Sequence, residues 1–271
     1  MPVLYIVATP IGNLEDISLR AVRILNEVGL IAAEDTRRTR HLLKRYGIKT
    51  SLTSYHEYNK TTKLDYLLEK IAETDVALVS DAGMPGISDP GYELVAAAVA
   101  NGIKVVPLPG PSALITALAV AALPTDRFLY IGFLASKSSG RKKQLKEVTA
   151  ETGTILALET PHRLRAALTD VLNTLGDRRI SICRQLTKLH EEIFRGTVSA
   201  AIKHFTSPRG EFVLVIAGAV ENKEKEVTPQ VQKRLKEFKN EGKKAKEAIA
   251  RLAQESDLSR RQLYRAWLKL T

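Results

Sequence analysis

The sequence predicts an α/β protein with two α/β domains and a small helical tail. Apolar runs that suit buried strands alternate with helical patterns through roughly the first 115 residues, which is typical of a largely parallel sheet. A second set of strands and helices extends to residue 216, and the chain then becomes charged, basic and helical. We therefore expect a first domain over 1–114, a second over 115–220, a linker over 221–230 and a tail over 231–271.

The clearest indication of a ligand site is the segment 76–91. Val76–Val79 is an apolar run that leads into a loop rich in Gly, Pro and Asp. Open α/β sheets bind ligands at the carboxyl ends of their strands. The loop lacks a GK[ST] sequence, so it suits a phosphate poorly, whereas the carboxylates of Asp81 and Asp89 suit hydroxyl or cationic groups. An ordinary strand-to-helix connection would explain the same residues.

The first domain is predicted from short apolar runs separated by amphipathic helices. Leu19, Val22, Leu25 and Val28, for example, recur at helical spacing after the possible cap Ser18. The predicted strands are Val3–Ala8, Leu30–Ala33, an edge strand Leu52–Tyr55, Val76–Val79 and Ile103–Val106. The predicted helices are the one after Ser18 ending at Gly29, then Arg37–Tyr46, Lys60–Glu73 and Tyr92–Ala100.

The second domain begins with a rigid Pro-rich connector that leads into an apolar helix, Ala113–Ala122. Its predicted strands are Phe128–Phe133, Thr154–Leu158, Ile180–Cys183 and Phe212–Ile216, and its other helices are Lys142–Ala150 and Leu164–Leu175. The basic segment Ser136–Lys143 is predicted to be a surface loop, which would either contact a polyanion or serve as a solvated linker.

The tail has the spacing of a helix-turn-helix unit. Val231–Lys239 is amphipathic and basic, and the segments Ala245–Ser259 and Arg260–Trp267 read as two short helices around a tight turn. Residues 225–271 contain 13 Lys and Arg against 6 Asp and Glu, a net charge of +7 out of +11 for the chain. This charge favours a nucleic-acid role over a packing role.

Composition and motifs exclude several other classes. The single cysteine, Cys183, fits a reducing cytoplasm, and the longest apolar stretch, Ala113–Leu123, is too short to span a bilayer. The five histidines are scattered and there is no HExxH, so we expect no metal site. The absence of GxGxxG and GxSxG argues against a nicotinamide enzyme and an α/β hydrolase.

Short polar motifs follow several predicted strands. They are Thr9–Asn13, Glu34–Thr36, Asp81–Gly91, Pro109–Ser112, Glu159–Arg163 and Arg184–Glu192. Each has an ordinary structural explanation: Ser112 can cap its helix, Glu159 and Arg163 can form a local pair, and Arg184, Lys188 and Glu191 can lie on one solvated helix face. Their shared position at strand ends nevertheless predicts one cleft.

Together these motifs resemble the tetrapyrrole methylase superfamily. The resemblance is carried by VATPIGNLEDISLRA (7–21), AEDTRRT (33–39), SDAGMPGISDPG (80–91), PGPSALITAL (109–118), ETPHR (159–163), CRQLTKLHEE (183–192) and RGEFVLVIAG (209–218). Within the superfamily the chain is similar to the bacterial branch that methylates a cytidine 2′-hydroxyl in small-subunit ribosomal RNA. It departs from tetrapyrrole-making relatives at the first loop, where they carry GxGxGD and this chain has Thr9-Pro-Ile-Gly-Asn.

The resemblance implies two α/β domains with S-adenosylmethionine held in the cleft between them, within a cytoplasmic homodimer. It implies that small-subunit ribosomal RNA is the partner, within the assembled subunit, and that no membrane is involved. The implied cofactor-binding residues are Pro10, Asp81, Gly83, Met84, Ile87, Ser112, Ala113, Leu158 and Ala217. A ribose hydroxyl is a weak nucleophile, so a base or a cation should lie beside it. The catalytic candidates, among which spacing does not choose, are Lys188, Glu34, Asp35 and Arg184.

Two other functions fit the same residues. One is a methyltransferase that acts on a tetrapyrrole or a protein side chain, against which the basic tail argues. The other is a DNA-binding regulator that senses S-adenosylmethionine without catalysis, because helix-turn-helix units are common in regulators.

Overall fold

A computed structural model describes residues 2–220, 227–256 and 258–269. The chain forms two compact units, Met1–Ala219 and Val220–Thr271, and each is described by itself. Most of the predicted linker, residues 221–226, lies outside the described residues, as do Asp257 and the last two residues of the tail.

The first unit contains two five-stranded sheets, of which the first is entirely parallel in the order β3-β2-β4-β1-β5. Its strands are β1 (Val3–Val7), β2 (Leu30–Ala33), β3 (Leu52–Ser54), β4 (Val76–Val79) and β5 (Lys104–Leu108). Its helices are α1 (Leu19–Glu27), α2 (Thr36–Arg45), α3 (Lys60–Glu73) and α4 (Tyr92–Ala100), with a 3-10 turn at Leu14–Asp16.

Both faces of this sheet are covered, which is why its strands are continuously apolar. Every residue of β2 and β4 is buried. Alternate strand residues point to opposite faces. Ile31, Ala77 and Val79 face α1 and α2, whereas Leu30 and Leu78 face α3 and α4.

The second sheet is mixed, with parallel and antiparallel pairs in the order β6-β7-β10-β8-β9. Its strands are β6 (Phe128–Phe133), β7 (Thr154–Glu159), β8 (Arg179–Arg184), β9 (Glu192–Thr197) and β10 (Phe212–Ile216). The helices of this half are α5 (Ala113–Val120), α6 (Ser138–Glu147), α7 (Leu164–Leu175) and α8 (Val198–His204). One face of the sheet packs on α6, α7 and α8, and the other packs on α5 and on Ile11 from the loop after β1.

Two local predictions are wrong. The segment Ser136–Lys143 is not a surface loop, because α6 begins at Ser138 and Arg141 is only 3% exposed. Arg141 enters the interior because it is paired there with Asp170 of α7, its Nη2 lying 2.6 Å from Oδ2. Arg184, Lys188 and Glu191 do not share a helix face, since β8, a turn and the unpredicted strand β9 form an antiparallel hairpin.

The second unit is a three-helix cluster of α9 (Pro229–Asn240), α10 (Ala245–Glu255) and α11 (Arg260–Leu268). Leu235, Phe238, Leu252 and Leu263 are buried in its own core. A capping box at Ser259 starts α11. Among the helices of the described residues, none has the length and apolar character needed to cross a bilayer.

Candidate active site

The loops after β1 and β4 are joined at the carboxyl edge of the first sheet. Thr9 and Gly83 exchange backbone hydrogen bonds of 2.9 Å in both directions, and the Thr9 hydroxyl donates to the carbonyl of Ser80 at 3.0 Å. Gly83 adopts a φ of +85°, which favours glycine because a side chain would be strained there. The predicted ligand loop is therefore held rigidly against the first loop.

The ends of β2 and β4 are connected by carboxylates. Glu34 Oε2 accepts a hydrogen bond of 3.1 Å from the backbone N–H of Asp81, and Asp81 Oδ1 accepts one of 3.0 Å from the N–H of Asp35. The other Asp81 oxygen lies 3.1 Å from Nη1 of Arg38. These residues are more than 40 positions apart in the sequence, and they meet because β2 and β4 are neighbouring parallel strands.

A cleft of about 440 Å³ lies between the two sheets. From the first sheet it is lined by Ile11, Glu34, Arg38, Asp81, Ala82, Gly83, Met84, Ile87, Ser88 and Asp89. Ser112, Ala113 and Leu114 line it from the start of α5, and the second sheet contributes Tyr130, Phe133, Leu158, Glu159, Thr160, Pro161, Cys183, Gln185, Leu186, Glu211, Phe212 and Val213. Both sides of the cleft therefore combine polar and apolar side chains.

Asp89 has the most perturbed carboxyl group of this cleft. Burial raises its pKa to about 6, and the nearby charges of Glu34 and Asp81 act in the same direction. Burial is also the main reason that the pKa of Glu34 is raised. Asp35 behaves oppositely, because hydrogen bonds from Arg37 hold its pKa well below the usual range. Asp89 is therefore a carboxyl group of the cleft whose pKa of about 6 lies well above the usual range of an aspartate.

Ser88 connects the two sides of the cleft. Its hydroxyl is hydrogen-bonded to the Tyr130 hydroxyl on β6. The backbone of Ser88 has a φ of +63°, a conformation that costs free energy for a non-glycine residue. Neither Tyr130 nor Phe133 was predicted as a site residue, because strand residues in an apolar run carry no signal that separates lining from core.

The first loop also packs against the turn between β8 and β9. The Asn13 N–H donates to the Thr187 hydroxyl at 3.0 Å. A Cβ at Gly12 would lie 2.6 Å from Cγ of Lys188 and 2.8 Å from the carbonyl of Leu186, so only glycine fits. The stem of Lys188 thus covers Gly12, while its ammonium group pairs with Glu211 at 2.8 Å.

Seven of the nine expected cofactor-binding residues line the cleft. They are Asp81, Gly83, Met84, Ile87, Ser112, Ala113 and Leu158. Pro10 instead lines a second cavity of about 630 Å³, together with Asp35. Ala217 follows Ile216, which pairs with Ile155 and Ile180 at the opposite end of the sheet, so the geometry gives no support for Ala217 as a ligand contact.

Of the four catalytic candidates, Glu34 alone lines the cleft. Lys188 and Arg184 are absent from the described lining of both cavities, and Arg184 pairs with Glu192 at 3.0 Å. Neither side chain lies on a helix, because Arg184 ends β8 and Lys188 lies in the turn that follows. Across residues 2–220, 227–256 and 258–269, no group of three or more His, Cys, Asp or Glu side chains is placed to hold a metal ion.

The fold and the cleft together define an α/β protein with a ligand-sized cleft between two sheets. The model of the family described as tetrapyrrole (corrin/porphyrin) methylases matches residues 3–202. The chain therefore belongs to the tetrapyrrole methylase family.

Relatives of similar length carry a common name. A protein of Synechocystis sp., "Ribosomal RNA small subunit methyltransferase I", is 48% identical over 100% of this chain and 99% of its own. One of the same name from Bacillus subtilis is 41% identical over 98% of this chain and 94% of its own.

Solved structures share the fold at low sequence identity. Uroporphyrin-III-C-methyltransferase from Thermus thermophilus has a TM-score of 0.57 and 18% identity, covering 79% of this chain and 94% of that one. A diphthine synthase has a TM-score of 0.58 and 14% identity, covering 79% and 90%. These likenesses bear on the fold alone.

Proposed function

We propose that this protein transfers a methyl group from S-adenosylmethionine to the 2′-hydroxyl of a cytidine in small-subunit ribosomal RNA. The observation that carries the proposal is the full-length similarity to proteins named as small-subunit rRNA methyltransferases, joined to a cleft lined by the expected cofactor residues. The first loop, Thr9-Pro-Ile-Gly-Asn, favours this substrate over a tetrapyrrole.

The cleft has the chemistry that this cofactor needs. Its volume of about 440 Å³ lies within the range of small-molecule sites. Carboxylates of the first sheet suit the cationic amino and sulfonium groups and the ribose hydroxyls, while Ile87, Leu114 and Leu158 suit an adenine ring. The positive φ of Gly83 keeps the loop backbone open to close approach. When bound, S-adenosylmethionine supplies an electrophilic methyl group.

We propose that the Asp89 carboxylate is the general base that accepts the proton of the ribose hydroxyl. Formation of the oxygen–carbon bond releases that proton, and a general base should be ionised at the working pH but still basic. Asp89 lines the cleft beside Glu34 and Asp81, and its raised pKa of about 6 meets this requirement. Removal of the proton as the bond forms would increase the nucleophilicity of a weak hydroxyl.

The other candidates receive supporting roles. The Glu34 carboxylate accepts a hydrogen bond from the backbone N–H of Asp81, and the backbone N–H of Asp35 donates to the Asp81 carboxylate, so both residues position the ligand loop. Lys188 is paired with Glu211 and Arg184 with Glu192, so we assign them to shaping the turn between β8 and β9 rather than to the ribose. Action on the assembled subunit, a homodimeric state and a cytoplasmic location stay predictions.

The proposal is tested with labelled S-adenosylmethionine and small ribosomal subunits that lack this modification, followed by mapping of the label. We expect label on one cytidine ribose. Label on a base, on protein or on a tetrapyrrole would contradict the proposal. Cofactor binding without turnover, combined with sequence-specific binding to duplex DNA in a gel shift, would instead indicate the regulator.

A further inference from the structure

A cavity of about 630 Å³ lies beside the first loop, and of the nine expected cofactor-binding residues its lining includes only Pro10 and Asp81. It lies between that loop and α2, and its charged lining consists of Asp35, Arg37, Arg38, His41 and Asp81. Only Arg38 and Asp81 also line the cofactor cleft. The Arg38–Asp81 ion pair, with a distance of 3.1 Å, is therefore a shared wall between the two spaces.

The arginines of this cavity retain hydrogen-bond donors for a ligand. Arg37 uses Nε and Nη2 on Asp35, at 3.1 and 2.7 Å, which leaves Nη1 without a partner among the described residues. Arg38 uses Nη1 on Asp81 and in the same part of the chain has no partner at Nε or Nη2. Their side chains are 86% and 69% exposed. Two such guanidinium groups suit the oxygens of a phosphate.

The remaining lining suits a nucleoside. Leu14 adds an exposed apolar surface for a base, backed by the buried side chain of Leu42. The volume exceeds the lower end of the range for small-molecule sites, so one nucleotide fits. Enzymes that modify a nucleotide commonly take it out of its stack into such a pocket.

We propose that this cavity receives the target nucleotide of the RNA substrate, with its phosphate on Arg37 and Arg38 and its ribose against the shared wall. The inference rests on the proposed function and extends it, because it places the acceptor on one side of the Arg38–Asp81 pair and the methyl donor on the other. The two reactants then lie next to each other, because Arg38 and Asp81 line both cavities.

Arg37→Ala tests the site, and Arg40→Ala is its matched control. Both arginines are exposed on the same helix, but only Arg37 lines the cavity. We expect Arg37→Ala to raise the KM for small subunits about tenfold and to reduce the salt dependence of their binding by about one unit of slope. The turnover number and the dissociation constant for S-adenosylmethionine should stay within about twofold of the wild-type values. Arg40→Ala should match the wild-type protein in all four measurements.

Equal effects of the two substitutions would overturn the inference, since a general basic surface would then account for RNA binding. Loss of S-adenosylmethionine affinity in Arg37→Ala would also overturn it, by placing the cofactor in this cavity. A failure of the proposed function is distinguishable, because the wild-type protein itself would then put no label on the RNA.

Discussion

Asp89 illustrates how the position of a single carboxyl group sets its chemistry. It belongs to the Gly-rich loop after β4 and lies in the cleft near two other acids, and burial raises its pKa to about 6. Below this pH the group is protonated and cannot accept a proton, whereas above it the base is available. The methyl transfer rate of the wild-type protein should therefore fall as the pH drops through about 6.

The substitution Asp89→Asn removes this base while keeping the shape of the side chain. We expect kcat/KM at pH 7.5 to fall by about 100-fold or more, as is usual for loss of general-base catalysis. The residual activity should no longer fall as the pH drops through about 6. Rates measured from pH 5 to pH 9 check both expectations.

The surface variant Asp65→Asn, on α3, provides the control and should keep the wild-type profile. Folding of Asp89→Asn is checked by thermal melting. A carboxyl whose pKa is raised from 3.8 to about 6 binds more protons when folded, so its ionisation lowers stability as pH rises between those values. The Asn variant should hence melt no lower than the wild type at neutral pH. A well-folded Asp89→Asn protein with undiminished turnover would reject the assignment.

At the scale of elements, the pair between Arg141 of α6 and Asp170 of α7 links two helices beneath the second sheet. Both side chains are nearly inaccessible to solvent, and Ser138 and the carbonyl of Ala135 complete their hydrogen bonds. Arg141→Ala leaves a buried carboxylate without its main partner, which should lower the free energy of unfolding by about 3–5 kcal/mol. Urea denaturation followed by circular dichroism measures the change.

Lys142→Ala is the matched control for this pair. Lys142 approaches the same carboxylate at 3.5 Å but is half-exposed, so its removal should cost less than about 1 kcal/mol. The double variant Arg141→Met/Asp170→Leu removes both charges and should recover much of the loss, because no unpaired charge stays buried. Similar losses for Arg141→Ala and Lys142→Ala would contradict the buried-pair account.

The same elements show what can be predicted from sequence. β2 and β4 are identifiable because covered parallel strands require unbroken apolar residues. The burial of Arg141 is not predictable in this way. A basic residue in a polar stretch indicates a surface loop unless its partner on another helix is known. The turn after β8 is also hidden, because its charged residues recur at helical spacing and its pairing with β9 depends on distant contacts.

The candidate site also contains features that can be predicted from the sequence and features that cannot. The position of the ligand loop is predictable because open α/β sheets place their ligand-binding loops at the carboxyl ends of buried strands. The contribution of Tyr130 depends on how two sheets face each other, which local sequence does not encode. The basic start of α2 predicts a charged helix, but only the fold shows that Arg37 and Arg38 line a cavity beside the cleft between the two sheets.

At the scale of the whole molecule, charge is distributed unequally between the two units. The last 47 residues, 225–271, hold a net charge of +7, while the other 224 hold +4. α9, α10 and α11 bury their own apolar residues, so the tail has a core that does not rely on the first unit. We therefore expect the tail to add RNA affinity and to leave cofactor chemistry unaffected.

Removal of the second unit, residues 220–271, tests this division of labour. Each phosphate contact adds about 0.9 to the slope of log affinity against log salt on duplex nucleic acid and about 0.7 on a single strand. The truncated protein should thus bind small subunits more weakly and with a flatter salt dependence, while its S-adenosylmethionine affinity stays unchanged. Filter binding across a salt series and calorimetric titration of the cofactor measure the two effects.

Two substitutions test the same role of the tail without removing its helices. Arg260→Gln/Arg261→Gln neutralises two exposed side chains at the start of α11 and should flatten the salt dependence by up to about two units, in the same direction as the truncation. If the truncation weakens cofactor binding while the double substitution changes neither RNA nor cofactor binding, the tail stabilises the enzyme and does not bind RNA. If both variants flatten the slope and spare the cofactor, RNA is held by the tail, and the first unit needs only to position one nucleotide.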